Sequence, residues 1–498
     1  MKLFSLVLLI PLFSFVNFTS TPQYYFNDVS AVNLPLSAVS GPSMDVESAD
    51  IDNDGDKDIV IAREYAPNKI LINNGNGVFT DESSRIPTYS YDSEDVSLVD
   101  FDRDGDIDLL FTSEDNAVHE FYLNRGNGYF DNYSNRISNF ICNASLVIDL
   151  NNDMYPDIIF GSNGNGNPAP PGLPKVYINN GDATFHEENS RLPSIAMVPQ
   201  DIKAADIDGD GDKDLIFGCE DGNKIFINNG TGNFTDETAT RLPLVNEETR
   251  KVAAGDIDND GDIDLFFANV EFIAGKLRQD RILKNNGSGV FTDVTYFAMP
   301  IDNEHTLDGV FYDLNFDGFL DLITSSAFTN RPVKAFFNDG MGSFHEATNE
   351  VFPPTAVAEG LGIKIDNFNN DNLPDIFIAH RRSAQSLGND KLLLRNDTAT
   401  VGINFNSGKV PSDYFLGQNY PNPFNPETLI RFSNLRPGHV MINIYSLSGK
   451  HIETLVNENL PIGEYSVAWK PLNQSSGIYI YSLTAGQEVI TKSMVFAK

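Results

Sequence analysis

The sequence predicts an all-β chain: a closed ring of seven four-stranded sheets, followed by a small Ig-like β-sandwich. Three observations carry this. An acidic nine-residue loop recurs seven times. Each copy leads into an apolar run, and most are followed by a Gly-bearing turn. After residue 400 the repeat stops, and short alternating strands of a different grammar begin.

The first copy reads Asp50-Ile51-Asp52-Asn53-Asp54-Gly55-Asp56-Lys57-Asp58, and Ile59-Val60-Ile61-Ala62 follows at once. Carboxylates at its first, third, fifth and ninth positions (Asp50, Asp52, Asp54 and Asp58) converge if the backbone between them turns tightly. Gly55 permits that turn, since glycine takes a positive φ without steric cost. With the backbone carbonyl of Asp56 at the seventh position, the ring of hard oxygens suits Ca²⁺, which takes about six to eight ligands. No helix flanks the loop, and its twelfth position is Ile61 rather than the bidentate Glu of an EF-hand. This is a calcium loop between two strands.

The other copies begin about 50 to 57 residues apart, a spacing typical of repeat arrays. The second offers Asp100, Asp102, Asp104, Asp106 and Asp108. The fourth offers Asp206, Asp208, Asp210, Asp212 and Asp214, and the fifth Asp256, Asp258, Asp260, Asp262 and Asp264. Three copies carry asparagine among their ligands. The third has Asp149, Asn151, Asp153, the carbonyl of Tyr155, and Asp157. The sixth has Asp313, Asn315, Asp317, the carbonyl of Phe319, and Asp321; the seventh has Asn367, Asn369, Asp371, the carbonyl of Leu373, and Asp375. Met154 and Asn372 stand where the other copies have Gly, and Asp366 can compensate for Asn367. Up to seven structural Ca²⁺ ions are expected.

Each repeat divides into four strands. In the first, Met44–Ala49 enters the loop, Ile59–Arg63 leaves it, Lys69–Asn74 is third, and Phe79-Thr80-Asp81-Glu82-Ser83 is fourth, after the turn Asn74-Gly75-Asn76-Gly77. Lys391–Asn396 has no such fourth strand after it. The matching segment, Phe26-Asn27-Asp28-Val29-Ser30, lies at the other end of the chain. That strand is expected to complete the seventh sheet, because an open array would leave an unpaired edge. A seven-bladed β-propeller over residues 22–400 follows.

These loops, followed by a β run and Asn-Gly-x-Gly-x-Phe, resemble FG-GAP/VCBS repeats, as in the head of integrin α chains. The resemblance implies a seven-bladed propeller with calcium between the first and second strands of each blade.

The net charge is −36, and 29 of the 70 acidic residues lie in the loops when Asp366 is counted with the last, so bound Ca²⁺ would cancel much of the acidity. No broad basic face for nucleic acid is expected. Residues 1–21 read as a secretory signal peptide: one Lys, then an apolar run too short to span a bilayer comfortably, leaving no transmembrane span in the mature protein. Cys142, before a first strand, and Cys219, ending a second strand, are consistent with one disulfide or with two buried thiols.

Residues 401–413 read as a linker. Beyond it, strands are expected at Leu429–Ser433, Val440–Leu447, Ser466–Lys470, Ile478–Leu483 and Val489–Val495, with Trp469 as core anchor. Tyr420–Pro426 (YPNPFNP), with Ile444-Tyr445-Ser446-Leu447-Ser448-Gly449-Lys450 and Ser476-Gly477-Ile478-Tyr479, closely resembles the type A C-terminal sorting domain of the type IX secretion system, over residues 414–498. The resemblance implies a Bacteroidetes/Chlorobi-type source, export to the outer surface or the medium by the type IX machinery, and removal of this domain there.

No G-x-S-x-G, H-E-x-x-H, phosphate loop or C-x-x-C is present, so no catalytic residue is assigned. What recurs in every blade is scaffold; what appears once is candidate function. By that rule the connections between second and third strands, on the face opposite the calcium loops, offer a rim: Phe272, Lys276, Arg278, Phe328, Arg331, His380, Arg381 and Arg382. A basic, aromatic rim suits an anionic extracellular glycan or an acidic protein patch. The expectation is a non-catalytic binding or adhesion module. The alternatives are a lectin or a lyase-like polysaccharide enzyme on the same scaffold.

Overall fold

The computed structural model of the chain describes residues 24–36, 40–115, 117–164, 170–301, 304–326, 333–356, 360–381, 389–396, the backbone of 404–406, and 415–498 apart from 427, 435, 437, 461–462, 472–473 and 486–487. The signal-peptide expectation and most of the linker lie outside these residues.

The first repeat builds one antiparallel sheet from Ser43–Ala49, Asp58–Arg63, Lys69–Asn73 and Phe79–Asp81, in chain order. Five further sheets repeat that order. In a seventh, Ile363–Asp366, Asp375–Ile378 and Lys391–Arg395 are joined by Phe26–Asp28, with Phe26 opposite Arg395 and Asp28 opposite Leu393. All six residues of Asp58–Arg63 are buried, because each second strand lies between two neighbouring sheets. The outermost strand is three residues long: Phe79 points inward, while Thr80 and Asp81 face solvent. A short polar edge of that kind offers little to a passing strand.

Neighbouring sheets share apolar cores. Ile59, Ile61, Leu71 and Phe79 of the first sheet pack with Phe377 and Leu392 of the seventh, and Phe26 is buried with Ile376 and Leu393. A recurring asparagine at the end of the third strand ties the sheets together. Asn124 donates from Nδ2 to the Ile107 carbonyl of its own loop (3.0 Å) and to the Ile51 carbonyl of the preceding loop (2.8 Å). Asn179, Asn285 and Asn338 repeat the bridge, and Arg395 replaces it in the seventh sheet, donating to the Leu314 carbonyl at 2.6 Å.

The first strands line a central cavity of about 680 Å³. Asp45, Asp95, Asp201 and Asp308, each at a β-bulge or just before its sheet's next pairing, accept backbone N–H groups from Val96 (3.2 Å), Ser145 (2.9 Å), Val252 (2.8 Å) and Ile363 (2.7 Å) of the following sheet. In the fifth sheet Lys251 takes this position, its ammonium 3.8 Å from Asp45 and 3.9 Å from Asp201. Cys142 lies inside a first strand, Ile141–Ile148, rather than before one. It and Cys219 are buried free thiols, because each is packed into the strand ladder of its own sheet.

The C-terminal unit is two stacked sheets. One pairs Thr428–Asn434 with Gly463–Trp469. The other orders His451–Leu460, Gly438–Ser446, Gly477–Ala485 and Glu488–Phe496. Trp469, 1 % exposed, sits at the centre with Phe424 and Tyr479. Two strands escaped the sequence reading. His451–Leu460 is rich in Glu and Asn because it is an edge, and Asn404–Asn406 of the expected linker pairs with Gly463–Trp469. No helix among the described residues is long and apolar enough to cross a membrane.

Candidate functional site

The acidic loops share one backbone frame. The carboxylate of Asp50 accepts the N–H groups of Asp54 (3.1 Å) and Gly55 (2.9 Å), which curls the loop around it. Asp100, Asp149, Asp256 and Asp313 do the same. The sixth position is left-handed, with φ of 95° at Gly55, and Met154 (73°) and Asn372 (65°) hold that conformation in the third and seventh copies. In the third copy loss of the glycine therefore leaves the frame intact, at the steric cost of a Cβ in that region, while in the seventh Asn367 accepts only the Asp371 N–H among the bonds of that frame.

The ninth-position aspartate is a backbone clamp as well as an expected ligand. Asp58 accepts from Ile51 N–H at 3.0 Å and Asn73 N–H at 2.8 Å, and the pattern recurs at Asp108, Asp157, Asp214, Asp264, Asp321 and Asp375. Burial pushes these carboxyls up, Asp58 to about 7, Asp214 to about 6 and Asp321 to about 8, against the opposing pull of the N–H donors.

In four loops three carboxylates converge within 4.8 Å. They are Asp50, Asp52 and Asp58; Asp100, Asp102 and Asp108; Asp206, Asp208 and Asp210; and Asp256, Asp258 and Asp260. Asp52 Oδ2 accepts from Arg85 (3.1 Å), Asp208 Oδ2 from Arg241 (3.1 Å), and Asp258 Oδ2 from Lys284. The other oxygen of each, Oδ1, is buried without a hydrogen-bond partner. A buried, orphaned oxygen on a carboxylate that is clustered with two others is costly unless a cation completes the set. These residues fit Ca²⁺.

Not every expected ligand joins a cluster. Asp54 and Asp104 stand outside the first two, where the ninth position takes their place. The seventh-position side chains Asp56, Asp106, Asp212 and Asp262 pack on the turn glycines Gly75, Gly126, Gly230 and Gly287, consistent with that position acting through its carbonyl. In the third, sixth and seventh loops no such trio forms among the described residues, since Asn151, Asn315 and Asn369 occupy the third position. The amides of Asn151 and Asn369 donate to Asp153 (2.8 Å) and Asp371 (2.9 Å).

On the opposite face one residue of the expected basic rim, His380, is corrected. His380 is 1 % exposed and lies inside, because its backbone N–H is held by buried Asp390 at 2.7 Å. Arg278 is paired with Glu271 at 2.7 Å, Arg381 with Glu64, and Lys276 is half-buried. Phe328, Arg331 and Arg382 lie outside the described residues. Phe272 is 46 % exposed: its ring stacks on His305 (5.2 Å, 11°), with the Arg250 guanidinium 4.9 Å from its centre. The same face holds a trio that sequence reasoning missed, Asp92, Glu114 and Asp115, drawn together from two strand ends. Its one sequence signal is the adjacent pair Glu114-Asp115, absent from the other second-to-third connections of the first four sheets except at Glu220-Asp221.

Fold and loops together define a repeat-built, all-β class of protein with acidic loops at one end of its sheets. Residues 50–111, 149–217 and 206–267 match the FG-GAP-like repeat, and residues 418–497 match the secretion system C-terminal sorting domain. The chain therefore carries FG-GAP-like repeats and a type IX sorting domain, and that domain marks it for export to the cell surface or extracellular space. No curated relative matches. Among solved structures it is similar to one on the recognition of non-reducing terminal N-acetylglucosamine by an Agrocybe aegerita lectin, at 18 % identity and a TM-score of 0.42, covering 64 % of this chain and 84 % of that one. It is also similar to PorZ, described as a surface component of the type IX secretion system of Porphyromonas gingivalis, at 12 % identity and a TM-score of 0.40, covering 89 % of this chain and 58 % of that one.

Proposed function

We propose that this protein is an exported, non-catalytic binding module whose repeat domain is held by structural calcium. One observation carries the calcium half: Asp52, Asp208 and Asp258, each clustered with two other carboxylates of its loop, keep a buried Oδ1 without a hydrogen-bond partner. Calcium supplies charge neutralisation there. The chain's own residues do the rest: Asp50 and its equivalents curl the loop, and Arg85 and Arg241 orient the third-position carboxylate. Repetition of the site along the chain favours a structural ion over a catalytic one, which would be singular and keep an open position.

The ligand is an extracellular glycan or protein, taken on the face opposite the loops. Phe272 supports this placement. Its ring is half open to solvent and braced by Arg250 and His305. A rigid exposed aromatic is the group on which a sugar ring or an interface side chain stacks. The test is a glycan array probed with the full chain in calcium and in chelator, beside Phe272→Ala. Retention in calcium that the variant loses supports the reading. Retention unchanged by both treatments removes it, as does turnover of any retained polysaccharide.

A further inference from the structure

The sixth acidic loop differs from the other six in three ways. It alone carries an aromatic residue at its fourth position, Phe316, beside a seventh-position aromatic, Phe319, that only the third loop matches with Tyr155. None of its residues is exposed, whereas the tips of the other loops face solvent. And the C-terminal domain sits on it. The Arg431 guanidinium is 3.1 Å from the carboxylate of Asp317, the loop's fifth-position acid, and 4.8 Å from the centre of the Phe319 ring. The Tyr420 ring lies beside Gly318, where a Cβ would be in van der Waals contact with it at 3.7 Å. Between the two units lies a mainly apolar cavity of about 380 Å³, walled by Tyr25, Phe316 and Leu373 on one side and by Pro421 and Leu429 on the other.

The loop beneath keeps the frame of a calcium site. Asp313 accepts the N–H groups of Asp317 and Gly318 at 2.8 and 2.7 Å, as Asp50 does in the first loop. Its donors (Asp313, Asn315, Asp317, the Phe319 carbonyl and Asp321) fit the ion in kind. What differs is where its positive charge comes from: Arg85, Arg241 and Lys284, on the third-position acids of other loops, belong to the repeat domain, whereas Arg431, on fifth-position Asp317, belongs to the C-terminal domain and leaves with it.

We propose that calcium and the C-terminal domain compete for the sixth loop, so that the ion binds there at full strength only once the domain has left. A guanidinium beside Asp317 repels a divalent cation held by that carboxylate. Charges of +1 and +2 about 6 Å apart in a water-like dielectric weaken binding by roughly tenfold, and by more where water is excluded. Coupling between two binding events is reciprocal, so calcium loosens the domain by the same factor. The sixth loop then reports the presence of the sorting domain, and a calcium-rich exterior favours its detachment from the repeat domain. The inference goes beyond the binding-module reading and shares with it only the premise that the loops take calcium.

The experiment uses the full chain. Calcium affinity and stoichiometry are measured by equilibrium dialysis for the wild type, for Arg431→Ala and Tyr420→Ala, and for Asp317→Asn, which disables the sixth loop. Small-angle scattering follows the radius of gyration in chelator and in calcium. The expected result is that both docking variants bind one ion roughly tenfold more tightly than the wild type. Asp317→Asn abolishes that gain when combined with either. The wild type is compact in chelator and larger in calcium, and the docking variants are large in both. Unchanged affinity in both variants overturns the proposal, as does a wild-type radius that stays constant or shrinks with calcium. Absence of calcium binding in every variant overturns it together with the reading of the other loops, whereas loss of glycan or protein binding by Phe272→Ala has no bearing on it.

Discussion

Asn73 donates a 2.7 Å hydrogen bond to the carbonyl of Phe368, 295 residues further along the chain, while the same amide holds Lys57 of its own loop at 2.9 Å. One side chain thus ties the first acidic loop to the last. Asn370, two residues beyond Phe368, donates in turn to Asp56 at 2.6 Å. The first and last loops are thus linked to each other through amide and carboxylate groups.

Asn73→Ala leaves two carbonyls without their donor, the Phe368 one in a buried setting. A loss of about 2–3 kcal/mol is expected. Urea unfolding of the full chain, followed by a probe in the repeat domain, checks it. Asn73→Asp should be no better, since a carboxylate cannot donate.

Phe26→Ala empties a fully buried site shared with Phe352 and Leu393. The cost expected is about 3–5 kcal/mol. The same substitution at exposed Phe297, also a phenylalanine of the repeat domain, should cost well under 1 kcal/mol. Comparable losses at the two positions would contradict the pairing of the N-terminal strand with Lys391–Arg395.

Calcium removal should lower the melting temperature of the repeat domain. With a dissociation constant of about 0.1 mM and about 1 mM free ion, each occupied site adds about 1.4 kcal/mol. Calorimetry with and without chelator measures the shift. Asp208→Ala should lower the calcium stoichiometry by one and remove about one site's share. A melt indifferent to chelator would remove the energetic role of the ion.

The central cavity gives a pH dependence. Burial raises the Asp308 carboxyl to about 6, against the pull of Lys251 and Lys203 and with a push from Asp45. Its folded value lies above its unfolded one, so the protonated form is favoured by folding. That contribution is fully present below about pH 4 and is lost as pH rises through about 6. Asp95, raised to about 7 chiefly by burial, acts with the same sign. Asp308→Asn, which keeps an acceptor for the Ile363 N–H, should flatten the fall in stability between about pH 4 and 7, read from urea midpoints in chelator.

Trp469→Ala should unfold the C-terminal domain while leaving the repeat domain folded, because its contacts are to Phe424 and Tyr479 of its own unit. Loss of the lower of two calorimetric transitions, with the other unmoved, is the expected trace. A simultaneous fall of both would mean that the two units unfold together.

The residues alone were enough to reveal the repeat, the four-strand grammar within it, the acidic loops and the change of grammar after residue 400. All of these are written in short-range pattern. The buried run Asp58–Arg63, the left-handed Gly55 and the Asn-Gly turns each declare themselves within a few residues. Tertiary structure decided which loop carboxylates meet. The ninth position joins the trio in the first and second loops and the fifth in the fourth and fifth, though the motif is the same in all four. It also decided that His380 is buried, that Arg85 spends itself on Asp52, and that Arg431 lies on Asp317. Each of these depends on a group arriving from a distant part of the chain, and the energy of a carboxylate or a guanidinium is set by those arrivals rather than by its sequence neighbours.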